Sequence, residues 1–277
     1  MKKKCIIIGS SGFLGKKLAK LFQENNWGVI KFSSKSKQSS NYFNLKNPEN
    51  LNTNLFEDCD LLINASYYFN TKNLEESLAI NLEGTKKLYK AAKNANINKI
   101  INISTLSSFN NAISIYGKTK YSIEQMGKSF NVINLRPGLF FGDESSTFDS
   151  LKKISKNLPI IPIIGNGLYK LHFTHYEDLF NLILKISNKD ILIEKSETIF
   201  CCTSEFLYFK DLIKKFSGKI LIPIPLSLII FFLNIIQKTG LKLRFNIDNL
   251  YGLINYNQEL NNLESFNYSS DFRMPQL

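Results

Sequence analysis

The chain has 277 residues, 44% of them hydrophobic and 13% aromatic, enough to bury a sizeable core and too apolar for a disordered chain. Its formal net charge of +12 rests on scattered lysines, with only three arginines, Arg136, Arg244 and Arg273. Nucleic-acid footprints cluster on one face and lean on arginine forks, so this charge argues against a nucleic-acid partner and for an anionic small ligand.

Apolar, β-rich runs alternate with helical periodicity through the first two-thirds of the chain. Strands are expected at Cys5–Gly9, Val29–Ser33, Leu61–Ala65, Lys99–Ser104, Val132–Arg136 and Thr198–Cys202, and helices at Gly12–Glu24, Leu74–Asn94, Ile115–Lys128 and Tyr176–Ile186. That order predicts an α/β fold, a doubly wound parallel sheet built from βαβ units. The apolar start is broken by Gly9-Ser10-Ser11-Gly12, too early for a secretory leader, and a cytoplasmic protein is expected. Cys5, Cys59, Cys201 and Cys202 show no ligand spacing and are expected as reduced core thiols. His172 and His175 have no third ligand nearby, so no metal site is expected.

After Pro137 the pattern changes. Pro159, Pro162, Gly165 and Gly167 punctuate a loop-rich stretch, and beyond Thr203 the strand–helix alternation is lost. Residues 1–138 are therefore expected to form the dinucleotide-binding domain, with 171–202 returning to it. Segments 139–170 and 203–277 would form a smaller C-terminal substrate domain over the sheet's carboxyl edge. Ile220–Ile236 is uncharged, but Pro223 and Pro225 leave too little helix for a membrane span, so a buried helix of that domain is expected. A surface-lying membrane contact is the alternative.

The first strand runs into Gly9-Ser10-Ser11-Gly12-Phe13-Leu14-Gly15, and a helix follows. Three glycines at this spacing let the turn bend, let backbone N–H groups reach a pyrophosphate, and let helix pack on strand; the helix N-terminus favours the phosphate charge. An NAD site usually carries a carboxylate at the end of the second strand to hold the adenosine ribose. Phe32-Ser33-Ser34-Lys35-Ser36-Lys37 has none, and its hydroxyl and ammonium groups suit a 2′-phosphate. NADP(H) is therefore expected over NAD(H).

Tyr116 and Lys120 lie one turn apart at the start of a helix. A phenol of pKa ~10 works poorly at neutral pH, and an ammonium beside it would favour the phenolate. The preceding strand ends at Ser104-Thr105, whose hydroxyls could bond a substrate carbonyl beside Tyr116. On these motifs the chain resembles an extended short-chain dehydrogenase/reductase of the NAD-dependent epimerase/dehydratase type. Asp60–Ser66, Asn81–Thr85, Arg136-Pro137-Gly138 and His175–Leu179 follow the same family order.

The resemblance implies a Rossmann fold, with Tyr116 exchanging the proton and Lys120 also holding the nicotinamide ribose. Thr105, or Ser104, would orient the reacting oxygen. Asn81, Ala65 and Ser66 would line the cofactor, as would Pro137 and Gly138. It also implies a nucleotide-sugar substrate and a homodimer through the helices at Leu82–Asn94 and Ile115–Lys128. Sugar dehydratases of the family place Asp-Glu after the strand-end Thr; Leu106-Ser107 stand here, which disfavours elimination. Arg244 is a candidate fork for a substrate diphosphate. The expected activity is NADPH reduction of a 4-keto nucleotide sugar. Alternatives are an epimerase with retained cofactor, a non-catalytic NADP(H)-binding protein, and a membrane-bound reductase of a lipid ketone.

Overall fold

Strands covered on both faces read as unbroken apolar runs, and such runs make the centre of this molecule. The computed structural model describes residues 2–35, 41–143, 146–191, 193, 196–238, 247–255 and 271–277. In chain order its elements begin β1 (Lys4–Ile8), α1 (Phe13–Glu24), β2 (Gly28–Phe32), β3 (Leu61–Asn64) and α2 (Leu74–Ser77). Then come α3 (Glu83–Asn94), β4 (Lys99–Ile103), α4 (Ile115–Gly127), β5 (Ile133–Pro137), β6 (Leu139–Phe141), α5 (Ser146–Asn157), β7 (Ile161–Ile164) and β8 (Lys170–Leu171). The remainder are β9 (Phe173–His175), α6 (Tyr176–Asn188), β10 (Thr198–Cys201), β11 (Leu207–Tyr208), α7 (Phe209–Ser217), β12 (Leu221–Ile224), α8 (Leu226–Lys238) and α9 (Ile247–Ile254).

The central sheet has six parallel strands in the order β10-β5-β4-β3-β1-β2. The expected doubly wound α/β sheet is thus present, with strand ends shifted by about one residue. Because β-strand side chains alternate, Cys5, Ile7, Leu61, Ile63, Ile101 and Leu135 enter one core under α1 and α6. Ile6, Ile8, Leu62 and Ile100 enter the other, against Leu88, Tyr89 and Ala92 of α3 and Ile123 of α4. The chain leaves β1 for opposite sides of the sheet, towards β2 and β3, and this switch point opens a crevice at the strands' carboxyl ends.

One polar feature crosses the second core. Asn64, Asn102 and Asn134 are in register on β3, β4 and β5, and each amide donates to the next, at 3.5 and 3.0 Å. Pairing within the ladder lets these amides sit in an apolar layer without unmet hydrogen bonds.

Three expectations are corrected. The stretch 139–170 is less loop-rich than its prolines suggested: it contains β6, α5, β7 and β8. Strand–helix alternation also continues past Thr203, through β11, α7, β12 and α8. These strands are two to four residues long, too short to display a sequence period. Their side chains join a third cluster that includes Phe141, Phe148, Ile161, Ile163, Phe209 and Leu212. Lastly, Ile220–Ile236 is not one buried helix. Its first part is β12, paired in parallel with β7, and several large apolar side chains of α8 face outwards. No helix among the described residues is long and apolar enough to cross a membrane. All four cysteines are buried with free thiols.

Candidate active site

Gly9 follows β1 with a φ of 84°, a left-handed conformation that side chains rarely adopt. A Cβ there would meet the Ala65 carbonyl oxygen at 2.7 Å, and one on Gly15 would meet the Gly9 carbonyl at 2.3 Å. At Gly12, which caps α1, a Cβ would crowd the Gly9 carbonyl oxygen at 3.3 Å, a tighter approach than most side chains make. No side chain caps that helix and no acidic residue occupies its first turn. Its orphan N–H groups and dipole end suit a phosphate, so the loop fits a dinucleotide.

A cleft of about 330 Å³ starts at this loop, where Gly9, Ser11, Gly12 and Leu14 line it. Ala65 and Ser66 continue the wall, which reaches Ser104, Tyr116 and Lys120. Ser34 borders the opposite end, beside Asn44. Ser33 spends its hydroxyl accepting from the Lys35 backbone N–H, and Lys35 is exposed. Lys37 lies outside the described residues, as does Arg244.

Helix α4 begins at Ser114, whose hydroxyl accepts from the Gly117 N–H. Tyr116, Lys120 and Glu124 then fall on one face, each one turn after the last. Lys120 is buried and donates from Nζ to the Ile103 carbonyl oxygen at 2.8 Å. Burial lowers its pKa to about 8, with Glu124 opposing the shift. Its ammonium sits 6.0 Å from the centre of the Tyr116 ring. Around Tyr116 the protein's own groups work against the phenolate. Burial pushes the phenol well above its ordinary value and nearby Tyr67 adds to this, while a hydrogen bond with Thr105 works against them.

The two strand-end hydroxyls part company. Thr105 bonds the phenol, whereas Ser104 donates to Glu124 Oε1. Glu124 also holds Arg136 in a two-pronged pair, from Nε at 3.0 Å and from Nη2 at 2.7 Å, with both side chains buried. Ser104 thus lines the cleft with its hydroxyl already engaged, while the Thr105 hydroxyl accepts from the Ser107 N–H at 3.3 Å.

A model described as the NAD dependent epimerase/dehydratase family matches residues 5–199. The chain belongs to that family. Solved structures of like fold include UDP-N-acetylglucosamine 4-epimerase from Bacillus cereus, at 17% identity and a TM-score of 0.65, covering 81% of this chain and 86% of that one. The dTDP-4-dehydrorhamnose reductase from Clostridium acetobutylicum matches at 21% identity and a TM-score of 0.64, covering 80% and 83%. The corresponding reductase from Yersinia enterocolitica matches at 18% and 0.65, covering 82% and 85%. No curated protein matches the chain in sequence.

Other positions expected from the epimerase/dehydratase pattern make contacts of their own within the protein. Asn81, expected to line the cofactor, is buried, and its amide clamps the backbone of Tyr68, accepting at 2.7 Å and donating at 3.0 Å. The clamp comes from a π-helical turn, Leu78–Leu82, which interrupts the single helix expected over Leu74–Asn94. Gly138 packs against the His172 carbonyl, where a Cβ would clash at 2.3 Å, and Pro137 ends β5 in register with Cys201. Phe13 meets the rings of Phe140 and Tyr176 edge-on.

Four contributors to the site were not singled out from the sequence. Tyr67 packs edge-on against Tyr116 with ring centres 4.8 Å apart, and Phe69 stacks on Tyr116 at 5.7 Å, so two aromatics roof the phenol. Asp248 of α9 accepts from the backbone N–H groups of Ile115 and Tyr116, placing a carboxylate at the N-terminus of α4. Glu124 was discoverable, since a lone acid two turns after Tyr116 sits on the same helix face. Asp248 gave no such signal, because its partner lies 132 residues away.

Proposed function

We propose that this family member is an NADPH-dependent reductase of a ketone in a nucleotide sugar, most closely a 4-keto sugar. The observation that supports this reading is the cleft that runs from the glycine loop to Tyr116 and Lys120, which stand one turn apart on one face of α4. When bound there, NADPH supplies the hydride. Tyr116 then donates its proton to the ketone oxygen, Thr105 orients that oxygen, and Lys120 turns its ammonium to the nicotinamide ribose. An exchangeable NADP(H), as the carboxylate-free end of β2 suggests, fits net reduction better than an epimerase, which retains its cofactor and returns the hydride. Leu106 and Ser107, where dehydratases carry an acid and a base, argue against elimination.

The purified chain should consume NADPH when given 4-keto nucleotide sugars, followed by loss of absorbance. It should bind NADPH at least about tenfold more tightly than NADH, and Lys35→Asp should reverse much of that gap. Equal affinity for the two cofactors would remove the 2′-phosphate reading. Interconversion of 4-epimers with no net NADPH consumption would replace the reductase with an epimerase.

Lys120 supplies a pH test. Its pKa is depressed to about 8, so the ammonium is present below that pH and lost above it. NADPH affinity should therefore weaken as pH rises through about 8, and Lys120→Met should abolish the dependence. A flat affinity from neutral to alkaline pH in the unmodified protein would contradict the ribose role.

A further inference from the structure

Helix α8 carries its apolar stripe on the outside. Leu228, Phe231, Phe232 and Ile235 recur at the i, i+3, i+4, i+7 spacing that normally faces a core, yet they are 44, 58, 54 and 44% exposed. The other side of the helix supplies buried Leu233 and half-buried Ile229 and Ile230. The neighbouring ribbon adds to the exposed surface. Ile222 of β12 is exposed beside its exposed register partner Pro162, and the Ile161 N–H donates to the Ile220 carbonyl, which brings exposed Ile160 near exposed Ile220. Isolated surface hydrophobes need no explanation, but a concentration of large ones marks a docking surface.

Charge and composition select the occupant. Lys219 adjoins the ribbon and donates to the carbonyls of Lys156 and Leu158, while Lys152, Lys153 and Lys156 are exposed around exposed Ile154 on α5. The whole chain carries +12, so a second copy would bring two strongly like-charged bodies together. Protein interfaces draw on Tyr, Trp, Met and Arg as well as Phe, and of these the stripe holds only its two phenylalanines. An anionic lipid leaflet accepts both the apolar side chains and the lysines. The 13 residues of α8 extend about 20 Å, short of the roughly 30 Å hydrocarbon core, so the helix would lie in the plane of the interface.

We propose that the α8 face, with its lysine rim, docks on an anionic phospholipid surface, independently of which ketone the active site reduces. The test is co-sedimentation of the full chain with vesicles of about two parts phosphatidylcholine to one part phosphatidylglycerol. Partitioning should exceed that onto pure phosphatidylcholine by at least about tenfold and should fall as salt is raised. The double variant Phe231→Ser/Phe232→Ser should lose at least about tenfold in partitioning while keeping its melting temperature and NADPH affinity, because both rings face outwards. Three outcomes would overturn the proposal. The first is retention of the unmodified chain in the supernatant with anionic vesicles. The second is a double variant that sediments as well as the parent. The third is a lipid-free dimer, seen by light scattering, that the double variant dissolves, which would make the face a contact between copies.

Discussion

Replacing Tyr116 with Phe should lower single-turnover reduction by roughly 10²–10⁴ while leaving NADPH binding nearly unchanged. The substitution keeps the ring, and with it the packing against Tyr67 and Phe69, but removes the proton that Thr105 helps to position. A lost phenol hydrogen bond would cost the cofactor at most about 1 kcal/mol. Two companion variants separate the roles. Lys120→Met should lose turnover and cofactor affinity together, because its ammonium serves both. Thr105→Val should slow turnover and spare affinity. If Tyr116→Phe kept more than about a tenth of the original rate, the proton would come from elsewhere and the reading would move towards a dinucleotide-binding protein without this chemistry.

The largest loss of stability is expected at Glu124, outside the cleft. Glu124→Ala would leave the Arg136 guanidinium buried without its two-pronged partner and would strand the Ser104 hydroxyl. Breaking a buried pair from one side costs about 3–5 kcal/mol, which should lower the melting temperature by on the order of 10 °C. Removing both charges at once, as Glu124→Leu/Arg136→Met, should recover most of the loss, since apolar pairs of similar size often match a buried ion pair. Calorimetry of the single and double variants decides it. A double variant no more stable than Glu124→Ala would mean that the pair does more than satisfy its own charges. The single variant should also slow reduction, because Lys120 and Tyr116 stand one and two turns earlier on the same helix.

How much was legible in the sequence depended on the range of the cause. The six central strands could be read because burial on both faces makes each an apolar run, and the glycine loop because its constraints act within seven residues. Tyr116 and Lys120 were legible for a similar reason: one helical turn is a fixed spacing in sequence. Even there the sequence did not show that Tyr67 packs beside Tyr116, or that the surrounding protein raises the phenol's pKa. Tertiary structure alone decided that Ser104 bonds Glu124, that Asn81 clamps the Tyr68 backbone, and that Asp248 receives the first N–H groups of α4. It also turned the apolar stripe of α8 outwards, against the expectation of a buried helix. Periodicity shows that a helix has an apolar face, but which way that face points depends on what the rest of the chain packs beside it.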